Sequence, residues 1–175
     1  MKGKTEKIIL FSGVLLIVVL LFLIVWNAGI FGISKSRVEQ DARENQKIDS
    51  SWQLSQATNE NMCAMLFYDE TTNNCVYSIY LKRDGFSFGY FFRDGGINPY
   101  IQDSVHGIVY EDRGIALLSL NEDQVSRIVV DNTLEEKTID VNPQEPFVVV
   151  LPVNCGEITM YDAQGNVVTL YDTYM

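Results

Sequence analysis

The chain has 175 residues, 47% of them hydrophobic, and a formal net charge of −10. Residues 52–175 hold six Lys/Arg against eighteen Asp/Glu, a net of −12; that balance excludes the basic footprint needed for nucleic acid and predicts repulsion from anionic lipid headgroups. The same region is long and apolar enough to build one core without metal or cofactor.

Residues 1–7 carry Lys2, Lys4 and Lys7, and residues 8–26 follow as IILFSGVLLIVVLLFLIVW, without a charge. As a helix, nineteen such residues reach about 28 Å, close to the hydrocarbon thickness of a bilayer. Only Ser12 and Gly13 interrupt the run, so it lacks the polar face of a core helix, and Trp26 suits an interfacial aromatic belt. The expectation is a single-pass transmembrane helix acting as a signal-anchor. The lysines ahead of it place the N-terminus in the cytoplasm and the C-terminal domain outside the membrane. Rival readings fit less well. A cleaved signal peptide has a shorter apolar stretch and small residues before its cleavage site, where Trp26 stands here. A lipoprotein needs a Cys straight after the run, whereas the first is Cys63, and a pilin-like start needs a Glu inside it. Ala28 and Gly32 form a small-xxx-small pair at the helix exit, a motif that supports helix pairing; homo-oligomerisation stays open.

Residues 27–51 are expected as a polar stalk, largely helical, lifting the domain off the membrane. Opposite charges lie four apart at Lys35/Glu39, Arg37/Asp41 and Glu39/Arg43, while Val38, Ala42 and Ile48 are too sparse for a coiled-coil seam.

From residue 52 the pattern changes to short β-type runs separated by turn residues. Strands are expected at 62–68, 76–81, 86–92, 104–110, 115–120, 126–131, 137–141, 147–151, 157–161 and 167–171, with turns at 83–85, 94–96, 112–114 and 162–166. This spacing, without helix-length amphipathic stretches, predicts an all-β domain over 52–175, an antiparallel sandwich or barrel. The alternation at Thr138–Val141, the turn at Asn142-Pro143, the apolar run at 147–151 and the shared face of Ile158 and Met160 resemble the second half of an immunoglobulin-like sandwich, without that fold's paired Cys and core Trp. The run from Phe86 to Arg93, with Pro146-Phe147 and Leu151-Pro152-Val153, resembles small membrane-anchored extracytoplasmic β-domain proteins of Gram-positive bacteria. That resemblance implies a setting and brings no activity with it.

Candidate sites are few. Cys63 and Cys75 flank a turn-like stretch, so they read either as a disulfide closing a hairpin or as two reduced thiols, and Cys155 leaves other pairings open. No CxxC occurs and the one histidine, His106, is distant from every Cys, so no metal site and no cofactor are expected. Ser104 would share a strand face with His106, but no GxSxG elbow or glycine-framed Cys nucleophile accompanies them, and no catalytic residue is assigned. Adjacent carboxylates such as Glu111/Asp112 and Glu122/Asp123 read as solvated turns. Between 86 and 92, alternation puts Phe86, Phe88, Tyr90 and Phe92 on one face and the small Ser87 and Gly89 on the other. Two readings follow: a shallow binding face of Ser87 and Gly89 rimmed by Arg93 and Tyr100, or a core strand with Gly89 under a bulky neighbour. The expected function is a non-enzymatic binding or accessory protein of the cell envelope, with another membrane or envelope protein as partner. The alternatives are an extracytoplasmic ligand sensor that signals through a membrane partner, its own tail of seven residues being too short to do so, and an enzyme of unrecognised type.

Overall fold

A computed structural model describes residues 2–27, 29–72, 74–85, 87–110 and 112–174, and gives side chains in the first helix over 11–23. Ala28 of the small-xxx-small pair, Phe86 of the aromatic stripe, Glu111 and the side chain of Trp26 lie outside the described residues.

Helix α1 (Lys2–Asn27) contains the apolar run and no proline. Every described side chain in it, from Phe11 to Leu23, is exposed, and the large apolar ones are 47–72% accessible. Among the described residues, which in α1 give side chains over 11–23 alone, no helix is long and apolar enough to cross a membrane.

The chain joins the domain within a few residues of this helix. Phe31 and Ile33 bridge to Phe88 and Tyr90. Gly32 N donates to Phe88 O (2.7 Å), Phe88 N to Ile30 O (2.8 Å), and Ile33 and Tyr90 exchange both backbone bonds (2.7 and 2.8 Å). A 3-10 turn over Lys35–Arg37 leads into helix α2 (Val38–Gln46), which ends on Lys47 in the left-handed region. The segment expected as a free-standing stalk is therefore packed structure. Val38 and Ala42, four apart on one side of α2, are both 0% exposed and lie among Cys63, Met65, Phe67, Tyr80 and Tyr90. Helix forms over 35–46 alone, about half of the expected stretch, and the Glu39–Arg43 pair forms at 2.9 Å. What the charge spacing concealed is that two small apolar side chains suffice to seat a helix on a sheet.

That sheet consists of β1 (Gln53–Thr58), β2 (Met62–Tyr68), β3 (Cys75–Leu81) and β4 (Phe91–Gly96), antiparallel in chain order. A short helix, α3 (Tyr100–Asp103), with Ile101 fully buried, leads to the second half. There β5 (Val105–Tyr110), β6 (Gly114–Ser119), β9 (Phe147–Leu151) and β12 (Leu170–Tyr174) make a middle sheet in the order β12-β5-β6-β9. The outer sheet has β7 (Val125–Asp131), β8 (Glu136–Asp140), β10 (Glu157–Asp162) and β11 (Val167–Val168), ordered β11-β10-β7-β8. All pairs are antiparallel except β12 with β5.

Strand alternation explains the stacking. On β6, Ala116 and Leu118 join Met62, Leu66 and Ile79 of the first sheet, whereas Leu117, one step along, joins Ile128, Val130 and Met160 of the outer sheet. Strands β5 and β6 at the centre of the middle sheet are buried on both faces, which is why β6 reads as a continuous apolar run, whereas β12 at its edge is exposed. The domain is all-β as expected, but with three stacked sheets in place of one two-sheet sandwich. Strand β1, with the polar sequence QLSQAT, was not expected. The strand expected at 86–92 is also corrected. Gly89 takes φ +85° and breaks the alternation, so pairing in the sheet starts at Phe91 and runs through the expected turn at 94–96, with an irregularity opposite Ile79/Tyr80. Phe88 (52% exposed) and Phe92 (47%) are consequently no core stripe, and of the three described aromatics of the stripe only Tyr90 (5%) is buried.

Candidate functional site

The end of the first sheet nearest the junction with α1 holds the most distinctive chemistry. Strand β3 leaves the sheet at Leu81, and Lys82, Arg83 and Asp84 follow; β4 returns alongside with Phe91, Phe92 and Arg93; the β5–β6 turn brings Tyr110, Asp112 and Arg113. Between them lies an open cleft of about 360 Å³. Four of the six basic residues in 52–175 line it, against two carboxylates among the described residues. In a region of net charge −12 this is a local reversal of sign.

The four cations differ in how they are held. Arg113 bonds to Asp84 (2.5 Å) and Asp112 (3.2 Å), and the bond to Asp84 above all raises its pKa and keeps it charged. Arg83 lies 3.9 Å over the Phe91 ring and donates to Gly29 O at 3.2 Å, tying the cleft to the backbone just past α1. Lys82 sits 5.5 Å over the Tyr90 ring. Arg93 is exposed and, like Lys82 and Arg83, makes no ion pair among the described residues. Tyr110 is 4% exposed, and its hydroxyl has no hydrogen-bond partner among the described residues. Burial first, and then the Asp94 charge, push that phenol well above its ordinary pKa, while Arg93 pulls the other way. It stays a neutral O–H able to donate. Nearby, Tyr77 donates to Asp94 at 2.8 Å, and burial likewise raises its pKa. The cleft thus offers positive charge at its rim, with an enclosed donor behind its wall, an arrangement suited to an oxyanion.

Of the expected binding face, only Arg93 lines this cleft. Ser87 lies at its edge, its hydroxyl donating to Arg83 O at 3.0 Å. Gly89 is covered by the chain entering from α1: a Cβ there would meet Ile33 O at 2.6 Å, so what approaches it is backbone. Tyr100 stands elsewhere, its ring 5.9 Å from that of His106 and 6.3 Å from that of Tyr171. The four do not form one face. The signal that sequence reading missed was the clustering of Lys82, Arg83, Arg93 and Arg113 beside tight turns in an otherwise acidic stretch.

The pairing of Cys63 with Cys75 is excluded by register. Cys63 faces Tyr80 and Cys75 faces Tyr68, so the two are five positions apart along the hairpin, about 17 Å. They also belong to different cores, and Cys155 to the third; all three are free, buried thiols. Burial raises the pKa of each, Cys75 to about 11. His106 is buried, with Nε2 3.2 Å from Thr173 Oγ1 and its pKa lowered by burial. Ser104 instead donates to Asp123 and Thr169 O, both at 3.1 Å. A second cleft, of about 350 Å³, has Asp103, Asp123 and Asp162 on its walls. No group of His, Cys, Asp or Glu among the described residues is arranged to hold a metal ion.

No family model, no curated protein and no solved structure matches the chain.

Proposed function

We propose that this chain is a single-pass membrane protein of the cell envelope, with a cytoplasmic N-terminus, whose extracytoplasmic β-domain binds or assists another membrane protein close to the bilayer. The observation that carries this reading is helix α1, Lys2–Asn27, which contains the uncharged run 8–26 and exposes every described apolar side chain from Phe11 to Leu23. An apolar surface on all sides of a helix is stable only in an apolar solvent or inside a larger core. Lys2, Lys4 and Lys7 supply the orientation. The resemblance to membrane-anchored proteins of Gram-positive bacteria agrees with this setting.

The junction refines the reading. Because residues 30–33 already pair with 88–90, the domain lies within a few residues of the helix end and works at headgroup height. Crosslinking in intact membranes, followed by mass spectrometry, tests the proposal. The expected result is a reproducible membrane or envelope partner joined through the domain, and a C-terminal tag reachable from outside the cell. Recovery of the chain alone at native expression, or a tag reachable only from the cytoplasm, overturns it.

A further inference from the structure

We infer that the cleft between β3, β4 and the β5–β6 turn binds the phosphate of an anionic phospholipid headgroup from the membrane that holds α1. This assignment rests on the anchor reading above and names the ligand of that membrane-proximal site.

Three observations converge on it. The first is charge: among the described residues Lys82, Arg83, Arg93 and Arg113 meet two carboxylates, Asp84 and Asp112, on the cleft wall, in a region where carboxylates outnumber cations three to one, eighteen to six. Repulsion of the domain as a whole from an anionic surface is thereby reversed at one place. The second is the Tyr110 hydroxyl, buried at the cleft without an acceptor among the described residues. A buried O–H left unbonded costs about 1–3 kcal/mol; it is closed to solvent, so a phosphate oxygen accepts from it only once the cleft wall over it opens. The third is position. Arg83 is bonded to Gly29, two residues beyond α1. Arg83 lies over the Phe91 ring, and two residues on from Gly29 Phe31 stacks on Phe88 with centroids 5.9 Å apart, the two remaining 55% and 52% exposed. Aromatic rings next to guanidinium groups at a helix exit suit the level of the headgroups, where apolar and phosphate contacts are available together.

The acidic remainder of the domain then has a physical role. It is pushed away from an anionic surface while the cleft is drawn to it, so the domain is oriented with its β3–β4 end down. An acidic protein segment would satisfy the same cations, but nothing would then require the cleft to lie at the helix exit.

The test uses the full chain purified in a maltoside detergent. Its thermal unfolding is followed with added dihexanoyl-phosphatidylglycerol, dihexanoyl-phosphatidylcholine or inorganic phosphate. Phosphatidylglycerol is expected to raise the midpoint in a saturable way, and the other two to have at least tenfold weaker apparent affinity. Arg83→Gln/Arg93→Gln is expected to lose at least tenfold in phosphatidylglycerol affinity. Arg93→Gln alone alters an exposed side chain without an ion pair and is expected to lose severalfold at unchanged ligand-free stability. Tyr110→Phe, which removes the unpartnered hydroxyl only, is expected to weaken the lipid response in the same direction. An equal response to inorganic phosphate overturns the lipid assignment. Absence of any response, or unchanged affinity in the arginine variants, overturns the cleft as an anion site. Alkaline extraction of membranes reports on the anchor separately: if the wild-type chain is released, the anchor reading fails, whatever the lipid titration gives.

Discussion

The two long helices of this chain put apolar residues to opposite uses. In α1 the described side chains from Phe11 to Leu23 are nearly all apolar and all exposed; in α2 only Val38 and Ala42 of nine residues are apolar, and both are completely buried. Hydrophobicity summed over a segment therefore ranks the two helices in the reverse order of their burial within the chain. What decides is whether the apolar residues form a stripe that a sheet can cover. Two residues four apart make such a stripe, and an all-round apolar surface does not.

Two substitutions set the scale of this contrast. Leu16→Lys/Val19→Lys places two charges in the middle of α1, at a cost of about 2.5–3.5 kcal/mol each if that segment sits at the centre of a bilayer. The expected outcome is release of the chain from membranes on alkaline extraction, with the near-ultraviolet circular dichroism of the β-domain unchanged. Retention in the pellet would break the comparison on the α1 side. On the α2 side, Val38→Ala removes two fully buried methyl groups and is expected to lower domain stability by about 2 kcal/mol in urea unfolding of the detergent-solubilised chain. Val19→Ala in α1 is expected to leave that transition where it was. Equal effects at 38 and 19 would mean that α1 packs on the domain as α2 does.

The same contrast marks how far the sequence can be read. Strands β2 and β9 are found at their expected bounds, 62–68 and 147–151, because a strand buried on both faces declares itself as an uninterrupted apolar run. Strand β1 is hidden because QLSQAT lies at a sheet edge and is nowhere fully buried, so its sequence carries no apolar signal. The seat of α2 was present in the sequence as Val38 and Ala42 but outweighed by charge spacing, of which the Glu39–Arg43 pair forms: Arg43 bonds Glu39, and in addition Asp49 O and Trp52 O at 3.0 and 3.1 Å. The run from Phe86 misled through its glycine, since alternation holds only while φ stays in the β region and Gly89 leaves it. The cleft was legible only in part. Arg93 stood out by its aromatic neighbours, but Lys82, Arg83 and Arg113 converge through pairings of β3 with β4 and of β5 with β6 that no local pattern encodes.

The smallest expected effect concerns the thiols, and it tests whether the sheet between α2 and the middle layer is sealed. Cys63 faces α2 and Cys75 faces the middle sheet, on opposite sides of the β2–β3 hairpin. Burial, with the Asp69 charge as the lesser cause, lifts Cys75 from an ordinary 9.0 to about 11. In the unfolded chain the thiol loses its proton near 9, so between about 9 and 11 the native state holds a proton that the unfolded state has released. The contribution of Cys75 is therefore constant below about pH 9 and declines as pH rises toward about 11, with no change near neutrality. Cys75→Ala should remove this decline and shift the alkaline limb of the stability profile upward, while cost at pH 7 stays confined to the lost packing of the sulfur. Thiol titration at pH 8 should find all three cysteines unreactive in the native chain and all three reactive after denaturation without reductant. A single reactive thiol after denaturation would mean that two had been paired. Native reactivity at Cys63 alone, with Cys75 silent, would place the loose seam under α2 and show that two apolar side chains hold a helix in place without closing the layer beneath it.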